Sequence, residues 1–195
     1  MKLTKLQRQI IADYDALAAP SKINIELLPD DAEERTLHLR LAFHEWVRAQ
    51  VIMKYTLIDE YLACIIANYY FGRPKESHYG KLWKTKKFQR FNHHILDEMY
   101  LPKKRDLVDS IKPLPSAIKS KVMMINDVRN ALAHSFFPQN RRRYRKPGRK
   151  VAYGGVSYDG VDIFTRPGYE KFYRDACDVL ELLHSRALPP FGPGW

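Results

Sequence analysis

Residues 129–134 read Arg-Asn-Ala-Leu-Ala-His. They gather a guanidinium, an amide and an imidazole, with small apolar residues between them. Neutral imidazole takes a proton and imidazolium gives one near physiological pH. The guanidinium is always charged, and its fork matches phosphate oxygens. Together they suit attack on a phosphate without a metal, with His134 moving protons and Arg129 holding the charge that develops at phosphorus. Asn130 and His134 are four apart and share a face of a regular helix. Arg129 and His134 are five apart, well over a quarter turn off. The long Arg side chain, a helix ending near His134, or a second subunit must close that gap. The bare spacing arises often by chance, and taken alone it is better explained by an interhelical hydrogen bond.

The elements that would position these groups can be read from apolar periodicity. Ile118, Val122, Ile125 and Leu132 repeat at helical spacing, and Ser135, two Phe and Pro138 follow the motif as a helix stop. The pattern predicts a helix over 115–134, with Pro113 and Pro115 marking its start. Upstream, 32–71 should form the longest helix, or two helices in near continuation. Asp30, Asp31, Glu33 and Glu34 sit at its start, where negative charge is favoured. Val51, Tyr55, Ile58, Leu62, Ile65, Ile66 and Tyr69 make its apolar stripe, and Gly72 and Pro74 end it. Asp59 falls on the flank of that stripe and Glu60 nearly opposite its centre. Asp59 is therefore the acid that faces the bundle, where it would orient His134 or pair with Arg129. A boundary acid satisfied by solvent or a nearby lysine explains it equally well.

Arg-Asn-Ala-Leu-Ala-His resembles the signature of the HEPN superfamily, Arg-x(4–6)-His with a polar residue, often Asn, directly after the Arg. The resemblance spans residues 35–186. The motif matches fully, and the rest matches in architecture: a long helix upstream, the motif closing a later helix, then a last amphipathic helix after a short β-like excursion. What the resemblance implies is a metal-independent endoribonuclease acting on RNA. In such proteins the Arg and His drive attack of a 2′-hydroxyl on the adjacent phosphate, leaving a 2′,3′-cyclic phosphate and a 5′-hydroxyl. It further implies a homodimer with the motif at the subunit interface, and a setting in toxin–antitoxin or antiviral defence with an antitoxin or regulatory protein as partner. Arg129, His134, Asn130 and Asp59 would be the catalytic residues. Other members of the superfamily only bind nucleotides or RNA, so a binding module without turnover and a protein-interaction subunit of a defence complex stay open beside the enzyme.

Composition bounds the partners. The chain has 195 residues with a net charge of +11, which points to a polyanion, nucleic acid before an anionic membrane surface. Residues 141–150 carry seven basic residues in ten. Arg141, Arg142, Arg143, Arg145 and Lys146 follow the motif closely and are the candidate RNA-binding residues; a solvated loop is the other reading. In 81–100, Lys81, Lys84, Lys86, Lys87 and Arg90 alternate with aromatics, a pattern that suits phosphate contacts and base stacking or simply a solvated helix face. His93-His94 has no Cys, Asp or Glu at ligand spacing, so neither metal nor cofactor is expected. Cys64 and Cys177 read as reduced core thiols. No apolar stretch is long enough to span a membrane, and a cytoplasmic protein without a signal peptide is expected.

The fold class expected is all-α, an up-and-down bundle of four to five helices with a small β-hairpin before the last helix. Asp159-Gly160 marks the hairpin turn, and Thr165 the cap of the final helix, with Pro167 in its first turn. Pro102-Lys103-Lys104-Arg105 reads as a break. Residues 1–31 are taken as an N-terminal arm with a short amphipathic helix, and 32–195 as the helical domain.

Overall fold

Asp31 opens the longest helix. Its Oδ1 accepts hydrogen bonds from the backbone N–H groups of Glu33 and Glu34 (3.0 and 2.8 Å), which satisfies two of the donors that a helix start leaves unpaired. Helix α1 runs Ala32–Phe71 and stops at Gly72, whose φ of +81° favours glycine. The computed structural model describes residues 28–72, 84–133 and 156–187, together with Lys5 and Arg8. Of the expected arm helix over 6–17, all but Arg8 lie outside the described residues.

Two compact units divide the chain, Met1–Trp46 and Val47–Trp195. In the first, Arg35 reaches back to the carbonyls of Pro29 (2.9 Å) and Asp30 (2.7 Å), and the Phe43 and Trp46 rings stack at 6.2 Å.

The second unit holds the core. Helix α2 (Lys86–Phe91) starts at Thr85, whose hydroxyl accepts from the Phe88 N–H at 3.3 Å, and it runs into a π-helical turn, Asn92–Leu96. Helix α3 (Leu101–Ile111) occupies the stretch expected as a break. Pro102 sits in its first turn, where a missing N–H leaves no bond unmade, so the proline opens a helix instead of ending one. Asp109 then fixes the next corner, accepting from the Leu114 N–H (2.7 Å) and from Lys119 Nζ (3.0 Å). Helix α4 (Ser116–Ala133) follows, as its apolar period requires.

Strands β1 (Ser157–Tyr158) and β2 (Val161–Asp162) pair antiparallel, with Ser157 opposite Asp162 and Tyr158 opposite Val161. Asp159 (φ 47°) and Gly160 (φ 81°) make the turn, both with the positive φ that a tight hairpin favours. Helix α5 (Arg166–Ala187) is capped by Thr165, whose hydroxyl accepts from the Gly168 N–H at 3.3 Å. A Cβ on Gly168 would overlap the carbonyl of Asp162, so glycine lets the helix start directly on the hairpin.

Among the described residues the architecture is thus five helices with a two-stranded antiparallel sheet before the last, as the sequence predicts. Helix α4 packs against α3 and α5, and β1 meets both α4 and α5. Arg186 bonds the carbonyls of Lys112 and Pro113 while Lys121 meets Asp175 and Asp178, so α4 and α5 run antiparallel. Within this unit α1 runs parallel to α5. Lys54 lies over Tyr173, Tyr61 meets His184, and Asn68 donates to the Ala187 carbonyl at 2.6 Å. Val51, Ile58, Leu62 and Ile66 from α1, Val122 and Ile125 from α4, and Phe172 and Leu183 from α5 are fully buried. Burial of each larger side chain stabilises the unit by about 1.5–3 kcal/mol. Two expectations need correcting. Tyr69 leaves the apolar stripe and is exposed, and Cys177 is half-buried, unlike the core thiol Cys64.

Candidate functional site

Val128 and Leu132 are buried and fix the last two turns of α4 in the core. That anchoring sets the direction of the opposite face, where Asn126, Arg129, Asn130 and Ala133 follow at helical spacing. Arg129 and Asn130 are half-buried. The guanidinium lies over the ring of Tyr55 on α1, 4.7 Å from its centroid, and donates to Asn130 Oδ1 at 3.1 Å. Among the described residues, no carboxylate pairs with Arg129. The aromatic face holds the cation in place without cancelling its charge.

Asp59 lies one turn beyond Tyr55 on α1, and its carboxylate is taken. Lys104 Nζ of α3 bonds Asp59 Oδ2 at 2.7 Å, with the lysine side chain only 7% exposed and the aspartate 30%. This is the lysine partner that the sequence allowed for, brought in by the helix that the sequence did not reveal. Glu60 is exposed. Burial pushes the Tyr55 hydroxyl above its ordinary pKa; the nearby Arg129 works against that rise and Asp59 adds to it. The hydroxyl is therefore a proton-bearing donor at neutral pH.

Asn126 sits one turn before Arg129, 8% exposed, and its amide has no hydrogen-bond partner among the described residues. Neither it, nor Tyr55, nor Lys104 was singled out from the sequence. In the sequence Tyr55 reads as a plain member of the apolar stripe, and Lys104 as part of a break. The signal available for Asn126 was its position, three before Arg129 and four before Asn130.

His134 follows the last described residue of α4 and lies outside the described residues, as do Arg141, Arg142, Arg143, Arg145 and Lys146. The structure thus brings Arg129, Asn130 and Tyr55 together, with Asp59 engaged by Lys104. His93 and His94 are exposed, with rings 4.7 Å apart and His93 4.0 Å from Asp97. Among the described residues no three His, Cys, Asp or Glu side chains gather as metal ligands, and no helix is long and apolar enough to cross a membrane.

Comparisons with protein-family models, with curated proteins and with solved structures give no match.

Proposed function

We propose that this chain is a metal-independent endoribonuclease of the kind its Arg129–His134 motif resembles. The observation that carries the proposal is Arg129. A half-buried guanidinium is held on a ring and an amide, and no carboxylate among the described residues neutralises it, while the neighbouring acid Asp59 is paired with Lys104. A phosphate is the anion that its fork fits best. In the proposed reaction the 2′-oxygen bonds to phosphorus and the bond to the 5′-oxygen breaks. One proton leaves the 2′-hydroxyl and one reaches the departing 5′-oxygen. His134 moves protons in these steps, Arg129 stabilises the charge on the phosphate oxygens, and Asn130 orients the guanidinium through its side-chain oxygen. RNA is the substrate because the nucleophile is its 2′-hydroxyl. Pairing of two copies at the motif, a cytoplasmic setting and a defence or toxin role belong to the same proposal.

Purified protein incubated with mixed RNA in excess EDTA tests it. Cleavage leaving 2′,3′-cyclic phosphate and 5′-hydroxyl ends is expected, and it should be lost in His134→Ala while RNA binding remains. A fully active His134→Ala protein would overturn the mechanism. A second reading, a binding module without turnover, is favoured by the net charge of +11, which attracts RNA without implying chemistry. It requires salt-sensitive RNA binding with intact RNA throughout.

A further inference from the structure

At the C-terminal end of α1 and along α2, aromatic rings form a connected set. Phe88 is 1% exposed and anchors it. Phe71 meets Phe88 at 5.3 Å and Phe91 at 5.1 Å, and Phe91 meets Tyr70 at 5.5 Å. Tyr70 in turn meets Tyr69 at 5.1 Å, the two rings standing 85° apart. The set runs from the core to the surface, ending on Tyr70 (53% exposed) and Tyr69 (62% exposed). Cations lie along the same segment of chain. Lys87 Nζ lies 5.6 Å from the Phe71 centroid, and Lys84, Lys86 and Arg90 are exposed. None of these four pairs with a carboxylate among the described residues. Asp97, beyond the π-helical turn, is already bonded by the Asn92 amide (3.1 and 3.2 Å).

We infer that Tyr69 and Tyr70, backed by Phe91 and with Lys87 beside Phe71, form a platform for unpaired RNA, with Lys84, Lys86 and Arg90 as exposed cations along the same segment. Exposed rings stack with any base, and unpaired cations track the phosphates of the strand. The perpendicular rings present stacking faces in two planes. That suits splayed single-stranded bases and not the continuous stack of a duplex. The inference rests on RNA being the substrate and gives that substrate a form: a single strand. Tyr55, under Arg129, and Tyr69 are fourteen residues apart on α1, about 21 Å along a straight helix. A strand of several nucleotides engages both.

The test is fluorescence anisotropy of the full chain with a short labelled 2′-O-methyl oligouridine, which lacks the nucleophile and so reports binding whether or not the protein cleaves. Tyr69→Ala and Tyr70→Ala should each weaken binding by about tenfold. Lys86→Gln and Arg90→Gln should each reduce the salt slope by about one. Tyr173→Ala, an exposed aromatic on α5, should bind as the wild type does. All the substituted side chains are exposed, and circular dichroism checks that the variants fold. Wild-type affinity in the Tyr69→Ala/Tyr70→Ala double variant would overturn the platform, as would preference for a duplex of the same length. Binding of anionic lipid vesicles with no affinity for the oligonucleotide would also overturn it, in favour of a membrane surface. Cleavage without a tyrosine effect would sink the platform alone; a tyrosine effect without cleavage would sink the enzyme reading alone.

Discussion

The two ends of helix α4 treat a cation in opposite ways. Lys121, in the first half, is locked between Asp175 (2.7 Å) and Asp178 (2.6 Å) of α5, and Asp175 also accepts from the Tyr158 hydroxyl at 3.0 Å. Two carboxylates raise the lysine's pKa and cancel its charge. Arg129, in the last turns, has a ring and an amide instead. Eight positions separate a cation that joins helices from one that no carboxylate among the described residues neutralises. The difference lies in the neighbours: α5 presents acids to Lys121, whereas the acid nearest Tyr55 on α1 is bound by Lys104. A cation between two acids serves to join helices, and the proposal assigns the one on a ring and an amide to the phosphate.

The largest change to this contrast should come from Lys104→Met, which frees Asp59 beside the arginine. Loss of the pair should cost about 2 kcal/mol in urea unfolding, less than the ~3–5 kcal/mol of a fully buried pair because Asp59 keeps some exposure. The same variant should bind RNA more weakly, since the freed carboxylate now offsets Arg129. Adding Asp59→Asn to it should restore the binding, and unchanged RNA affinity in Lys104→Met would break the argument. At the structural end, Gly168→Ala should cost about 1–3 kcal/mol by forcing α5 off the hairpin, without touching RNA affinity.

A smaller effect is expected at Tyr55. Phenylalanine keeps the ring under Arg129, while leucine removes it. A cation–π contact of about 0.5–1 kcal/mol corresponds to a two- to fivefold loss of cleavage in Tyr55→Leu, with Tyr55→Phe near wild type. Equal losses in both variants would assign the role to the hydroxyl.

An effect of similar size concerns pH. Burial, followed by the hydrogen bond to Asp175, raises the Tyr158 pKa far above its ordinary 10.0. The unfolded chain therefore gives up this proton first. The stabilisation is whole below pH 10 and falls as pH rises beyond it. Tyr158→Phe should lose about 1 kcal/mol at neutral pH and show a flatter stability profile above pH 10, with Lys121 still contributing.

Much of this scaffold could be read from local signals. The acids before α1, Gly72 after it, Asp159-Gly160 in the turn and Thr165 before α5 each act on neighbouring backbone, so their meaning is carried by adjacent residues. Helix α3 was missed because a proline marks a helix start as readily as a break, and only the packing of Leu101 and Val108 tells them apart. The chemistry of Arg129 and Asn130 was legible as residue types. Their supports were not: the Tyr55–Arg129 and Asp59–Lys104 contacts join residues 74 and 45 positions apart, between helices whose relative rotation no local pattern states.

The most direct measurement is the rate of RNA cleavage by Arg129→Ala in EDTA, with and without added guanidinium ion, beside His134→Ala. If the uncancelled charge on Tyr55 serves the phosphate, Arg129→Ala should lose about 10²–10³-fold. Free guanidinium should recover part of that loss and nothing in His134→Ala. An Arg129→Ala protein that folds normally and cleaves RNA at the wild-type rate would contradict it.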